Sequence, residues 1–297
     1  MRNYNLDIAG YNIRFESEDD GPELVPSERF DNFICSGGKP DFLIRVHTGS
    51  FTFHEKTERV FNAPYVEEVN GLMMKKNDEF WSIFQYNNDL FLKTVFPYSG
   101  NNEEAVLKFS LSQSVWDLWF SSKSKGIDPL SYPLDGLILY YLTVISGDIM
   151  IHASGVNYSG KGYLFSGVSG KGKSTMANLW DAFGAEVIHD DRLILRSESD
   201  GFYMFNTPVY KNEKPAKSKL DKIFLIEHGK ENRIVPAGGA QCVSLIMANC
   251  IQHNWDKKII TRLLDSVSGL CDKIPASRLF FKPDHSIIDF ICGNEKR

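Results

Sequence analysis

One segment, Gly167-Val168-Ser169-Gly170-Lys171-Gly172-Lys173-Ser174, limits what this chain can fold into more than any other. It fits the pattern G-x-x-x-x-G-K-[S/T], and Thr175 follows at once. Backbone N–H groups wrap an anion only where residues are small and φ is free, and Gly167, Gly170 and Gly172 supply that freedom. Such a loop needs a strand before it and a helix after it. The apolar run 163–166 (YLFS) leads in, and 174–183 (STMANLWDAF), stopped by Gly184, leads out. The expected nucleotide contacts are therefore the eight loop residues and Thr175. Lys173 is placed to reach the β- and γ-phosphates and Ser174 to ligate Mg²⁺, with the positive end of the helix facing the anion. Lys171 adds a second charge that either touches a phosphate or faces solvent.

Residues 185–192 (AEVIHDDR) read as a short strand ending in two adjacent carboxylates, Asp190 and Asp191. A phosphoryl-transfer site needs a carboxylate to hold Mg²⁺ or its waters. If the acceptor is a hydroxyl, it also needs a base for the proton. His189 alternates to the opposite face of that strand and is expected to be structural.

The run 151–196 resembles the catalytic core of HPr kinase/phosphorylase, a family that shares its P-loop fold with ATP-type phosphoenolpyruvate carboxykinase. The shared order is a His on a strand, a second strand, a G-x-x-G-x-G-K-S loop, a helix, and a strand bearing Asp-Asp. His152 lies 15 residues before Gly167 and Asp190 lies 23 after it. The resemblance implies that Asp190 is the general base with His152 beside it, and that Asp191 and Ser174 form the metal side. It also implies ATP and Mg²⁺ as ligands, a Ser or Thr hydroxyl of a peptide or protein as acceptor, and makes a homo-oligomer unsurprising. Thr175 stands where that family carries Glu, and residues 1–110 do not match its N-terminal domain. These departures point away from HPr itself as the acceptor, and the chain looks more like the divergent HPr-kinase-like proteins, some of which phosphorylate serine hydroxyls on small peptide products. Two other functions fit the same residues. One is a small-molecule kinase or carboxykinase-like phosphotransferase, using Arg192, Arg196 and the Lys-rich segment 211–222 (KNEKPAKSKLDK) against an acidic metabolite. The other is an ATP-binding regulatory protein without turnover.

The expected fold class is α/β, a P-loop HPr-kinase/carboxykinase-like core preceded by a mostly β N-terminal domain. Residues 1–120 form that first domain, 121–133 (SSKSKGIDPLSYP) a linker, and 134–297 the nucleotide-binding domain. Strands are expected at 41–47, 80–86 and 89–96, the last two joined by an Asn87-Asn88 turn. Leu107, Leu111, Val115, Leu118 and Trp119 recur at helical spacing, so residues 105–120 are expected to be a helix. A helix over 134–146 should end at Gly147. Beyond the carboxylates, 201–209 and 223–227 read as strands and 211–222 as a solvated loop or a cover for the nucleotide. Helices are expected over 241–251 and 256–271, and a strand over 278–282. Asp284 should cap a last helix that buries Ile287, Ile288 and Ile291.

Composition excludes several classes. Lys and Arg number 33 against 38 Asp and Glu, a formal charge of −5, which argues against non-specific nucleic-acid binding. Cysteines 35, 242, 250, 271 and 292 form no CxxC pair, so reduced thiols are expected. The first 20 residues turn acidic before any apolar run, and the longest apolar stretch, 137–145, is short of the roughly 20 residues that span a bilayer. The chain is expected to be soluble and cytoplasmic, with no membrane partner.

Overall fold

The structure is a computed structural model that describes residues 1–69, 72–96, 103–122, 124–208 and 213–294. Two compact units divide the chain. The first is Met1–Tyr141 with Pro208, Glu213 and Lys214, and the second is Leu142–Thr207 with Pro215 onward.

The first unit carries β1 (Asn3–Ile8), β2 (Tyr11–Glu16), β3 (Glu23–Leu24), β4 (Ile34–Cys35), β5 (Phe42–Thr48), β6 (Glu58–Val69), β7 (Leu72–Tyr86), β8 (Asp89–Val95), β9 (Glu104–Phe109), β10 (Val115–Phe120) and β11 (Gly126–Ile127). Nine of these form one sheet in the order β4-β1-β2-β5-β10-β9-β8-β7-β6. It is antiparallel except where β5 pairs with β2 and β10. Asn87 turns β7 into β8 at φ 54°, a value that Asn tolerates.

The helix expected over 105–120 is instead the hairpin β9–β10. Alternate residues Ala105, Leu107 and Phe109, then Trp116, Leu118 and Phe120, are buried with period two. The helical spacing arose because the turn 110–114 (SLSQS), held by Ser112 N–H donating to Ser110 Oγ, sits between two strands. Aromatic and β-branched residues on both sides favour the extended form. Trp116 packs against Phe42 and Phe109, and Trp119 stacks on His47.

Residues expected as a linker at 121–133 lie inside the first unit, where β11 pairs with β3. Helix α1 (Leu134–Ser146) follows and ends as expected at Gly147, φ 73°, with Asp148 N–H closing on the Thr143 carbonyl. The unit boundary falls within this helix.

The second unit holds β12 (Ile149–Tyr158), β13 (Lys161–Ser166), α2 (Lys173–Ala182), β14 (Glu186–Glu198), β15 (Gly201–Phe205), β16 (Lys217–Lys219), β17 (Lys222–His228), β18 (Arg233–Ala237), α3 (Gly239–Met247), α4 (Lys257–Lys273), β19 (Ala276–Phe281) and α5 (Ser286–Asn294). Its sheet order is β16-β15-β14-β12-β13-β17-β19-β18. Helices α2 and α5 cover one face, burying Met176, Trp180, Ile287, Ile288 and Ile291 against Phe165, Phe224 and Phe281. Helices α3 and α4 cover the other, with Ile246, Leu263 and Val267 against Ile151, Leu164 and Leu225. Each fully buried Ile or Leu contributes about 1.5–3 kcal/mol, so this α/β/α layering is held from both faces. Asp284 Oδ1 accepts from Ser286 N–H at the start of α5, as expected.

Two expectations change. Strand β14 does not stop at Asp191 but runs on through Leu193-Ile194-Leu195, all fully buried, so the carboxylates sit mid-strand. Within the Lys-rich segment, Lys217–Lys219 form β16 and Lys222 opens β17, and Lys217 pairs with Glu198 and Lys219 with Asp200. Val209 and residues 211–212 lie outside the described residues. The five cysteines are free thiols. No helix among the described residues is long and apolar enough to cross a membrane.

Asp128, in the first unit, gives a test of burial. Desolvation raises its pKa, against Leu130 N–H, Ser27 and Arg29, which pull it down. A carboxyl raised on folding adds stability only below its unfolded pKa of about 3.9, and that stability is lost as pH rises through the folded value. Asp128→Asn, which keeps an acceptor for Leu130 N–H, should therefore stabilise the protein more at pH 7 than at pH 4 in urea unfolding. An equal gain at both values would show that the charge is not what burial penalises.

Candidate functional site

The phosphate loop is the path from β13 into α2, and its glycines are required by contact as well as by φ. A Cβ on Gly167 would stand 2.9 Å from the Ile226 carbonyl oxygen of β17. Gly170 and Gly172 have φ of 79° and 93°. A Cβ on Gly172 would also meet Phe281 Cζ of β19 at 2.8 Å. Helix α2 opens at Lys173 with Gly172 as N-cap and no side-chain cap, which leaves its first N–H groups to an incoming anion. Val168, Ser169, Gly170, Ser174 and Thr175 are exposed, whereas Lys171 and Lys173 are half-buried.

Lys173 Nζ donates to the Gly167 carbonyl at 2.7 Å. Burial pushes its pKa down, and the negative charges of Asp190 and Asp191 push it back up. That coupling brings together the residues expected from two separate motifs. Register accounts for it: Ser166, the last residue of β13, pairs with Ala153 of β12, which pairs with Asp191 of β14. The carboxylates thus lie two strands from the start of the loop and at the same height.

The two carboxylates have different partners. Ser154 Oγ, directly opposite on β12, donates to Asp190 Oδ1. His152 Nδ1 donates to Asp191 Oδ1 at 3.3 Å, and Arg192 Nε lies 3.5 Å from Asp191 Oδ2. His152 therefore meets Asp191 rather than standing beside Asp190. Burial raises the Asp191 pKa, but the His152 hydrogen bond and the charges of Arg192, His152 and His189 outweigh it and hold the carboxyl below its ordinary value. His189 is buried, and its charge reaches Asp191, two residues further along β14. Arg196 is paired with Asp148 at 3.0 Å.

Among the described residues, no three His, Cys, Asp or Glu side chains converge on a metal-sized point. The set expected for Mg²⁺ is of another kind, a Ser hydroxyl and a carboxylate completed by phosphate and water oxygens. Asp191 Oδ2 is buried and accepts no hydrogen bond among the described residues. Although Arg192 Nε lies 3.5 Å from that oxygen, the carboxylate stays ionised and the Ser174 hydroxyl is exposed, so the donor chemistry of Asp191 and Ser174 fits a hard cation or its water.

Sequence reasoning missed two participants. His228, at the end of β17, donates from Nε2 to the Gly170 carbonyl at 2.9 Å and stacks on Phe281. Nothing in the sequence links it to a loop 58 residues away. Ser154 had a findable signal, since it lies two residues after His152 on the same strand face.

No protein-family model and no curated protein matches the sequence. Among solved structures, the chain is similar to the HPr(Ser) kinase/phosphatase from Coxiella burnetii, with 10% identity and a TM-score of 0.32, over 50% of this chain and 95% of that one. That likeness is too slight to carry an argument, and the chemistry rests on the geometry above.

Gly172→Ala should cost about 1–3 kcal/mol, because it forces a left-handed φ on Ala and drives Cβ into Phe281. Urea unfolding reads this directly. A loss below about 0.5 kcal/mol, the usual surface value, would mean that the loop relaxes without strain.

Proposed function

We propose that this chain is an ATP- and Mg²⁺-dependent phosphotransferase acting on a Ser or Thr hydroxyl of a peptide or protein. The observation that supports it most is the convergence on Lys173. A phosphate-loop lysine shares one electrostatic environment with two carboxylates held at the loop's height on the second strand over.

Each residue then has a task. The loop N–H groups and Lys173 neutralise charge on the β- and γ-phosphates, which is most of what phosphoryl transfer asks of a protein. Asp190 is the exposed carboxylate. Ser154 occupies its Oδ1 and leaves Oδ2 to take the acceptor's proton. As the acceptor oxygen bonds to the γ-phosphorus, the bond to the β–γ bridging oxygen breaks and ADP leaves with that electron pair. His152 holds Asp191 by Oδ1, and the depressed pKa keeps Asp191 ionised on the metal side with Ser174. Bound Mg²⁺ would supply charge neutralisation between the phosphate oxygens.

An acidic metabolite as acceptor has less support. It would need free cations near the carboxylates, yet Arg192 lies 3.5 Å from Asp191 Oδ2, Arg196 is engaged with Asp148, Lys217 with Glu198 and Lys219 with Asp200. A peptide or protein acceptor makes no such demand.

Incubation with γ-labelled ATP and a panel of peptides, including those encoded beside this chain, tests the proposal. Label should pass to Ser or Thr, and label found only in free phosphate would contradict transfer. Lys173→Ala should abolish the Mg-ATP-dependent rise in thermal midpoint. Asp190→Asn should keep that rise but lower transfer by about 10²-fold or more, the scale of a general base. Transfer by Asp190→Asn at the parent rate would remove Asp190 from the role of base.

A further inference from the structure

Behind the phosphate loop, on the α3 side of the sheet, lies a cleft of about 200 Å³. Its near wall is the loop itself, through Gly167, Val168 and Lys171. Its floor is Leu225 and Ile226, and its far wall is the end of α3, through Leu245, Ala248 and Asn249. Arg278, bonded from Nη2 to Glu227 Oε1 at 2.5 Å, closes the rim. Ser166 also lines it, fully buried, and its hydroxyl has no hydrogen-bond partner among the described residues. A buried hydroxyl left unpaired destabilises the fold, and a ligand polar atom would remove that cost.

We propose that this cleft seats the purine base of the nucleotide, with Ser166 and Asn249 as its hydrogen-bonding groups, an assignment that rests on the nucleotide role of the loop argued above. Sheet order decides between base and acceptor. The strands run β14-β12-β13-β17-β19, with the loop rising from β13 in the middle. Asp190 and Asp191 are on β14, two strands to one side, while Leu225 and Arg278 are on β17 and β19, one and two strands to the other. At about 4.8 Å per strand, the carboxylates lie roughly 10 Å to one side of the loop, while the cleft begins at the loop and extends roughly 5–10 Å to the other. An acceptor hydroxyl must lie by the carboxylate that takes its proton, so the opposite side is left to the nucleoside. The phosphates then run from the cleft, over the loop, toward Asp190.

Size and polarity agree. The volume is below the roughly 300–1,000 Å³ of pockets that enclose a whole ligand, and suits one flat part of a larger one. The floor is aliphatic, as a base ring needs. Asn249 Nδ2 is committed to the Leu245 carbonyl at 2.8 Å, which holds its amide in place and leaves Oδ1 as an acceptor.

Calorimetry with Mg-ATP, Mg-GTP, Mg-CTP and Mg-tripolyphosphate on the full chain tests this. ATP or GTP should bind at least about tenfold tighter than tripolyphosphate and tighter than CTP. Ala248→Trp, which fills the cleft from an exposed position, should bring ATP affinity down to that of tripolyphosphate and leave tripolyphosphate unchanged. Ser166→Ala should lower ATP affinity several-fold, with a thermal midpoint at or above the parent's, which keeps the test intact if the Trp variant folds poorly. If ATP binds no tighter than tripolyphosphate, or Ala248→Trp leaves ATP affinity intact, the base is not in this cleft, although the loop's role stands. CTP binding as tightly as ATP would overturn the purine assignment. If tripolyphosphate does not bind either, the nucleotide role of the loop fails with it.

Discussion

The second unit depends on one close approach, the phosphate-loop backbone lying against the ends of β17 and β19. Gly167 touches the Ile226 carbonyl and Gly172 touches Phe281 at distances no side chain would permit. Because the loop is wedged there, the direction of α2 and the position of Lys173 follow from it. Phe281 itself is fixed from behind by the isoleucines of α5. Core packing on one face of the sheet therefore sets the geometry of the polar site at its edge. The His228 hydrogen bond to the Gly170 carbonyl adds a second constraint from the same pair of strands.

Much of this site was legible because it is local. Glycine spacing, a strand before and a helix after are statements about neighbours, and so are the Gly147 stop and the Asp284 cap. The two carboxylates were visible as residue types, but not their partners. Whether His152 met Asp190 or Asp191 turned on strand register, which no short motif specifies. With the irregularity at Gly155/Val156, Ser154 falls opposite Asp190 and Ala153 opposite Asp191. His152 reaches the second carboxylate from one position further along. The length of β14 was under-read for a related reason. A polar pair within a strand looks like its end until Ser154 and His152 are seen to satisfy it.

The failure at 105–120 is of another kind. Leu107, Leu111, Val115 and Leu118 satisfy a helical period only if the turn between the strands is counted as part of the element. Ser110, Ser112 and Ser114 are poor helix formers, and Ser110 Oγ takes up the Ser112 N–H, a local bond that competes with the helix and favours the turn. The aromatic content of the first unit is likewise sheet-forming: Phe51 and Phe53 pack on Phe91. Phe51 and Phe53, themselves partly exposed, also pack edge-on against each other.

Charge placement explains how the loop keeps its shape. The Lys-rich segment looked like a reservoir of positive charge for a nucleotide, but Lys217 and Lys219 are held by Glu198 and Asp200. Lys173 faces a different problem, since burial disfavours its charge and the carboxylates on β14 restore only part of what water gave. It satisfies the remainder within the loop, by donating to the Gly167 carbonyl. The ammonium already makes that bond charge-assisted, and a phosphate oxygen would accept the same N–H with a full negative charge of its own, adding an ion pair to the hydrogen bond. On the proposed nucleotide role, binding would exchange a weaker partner for a stronger one at a side chain already in place, so little ordering entropy would be lost at that residue.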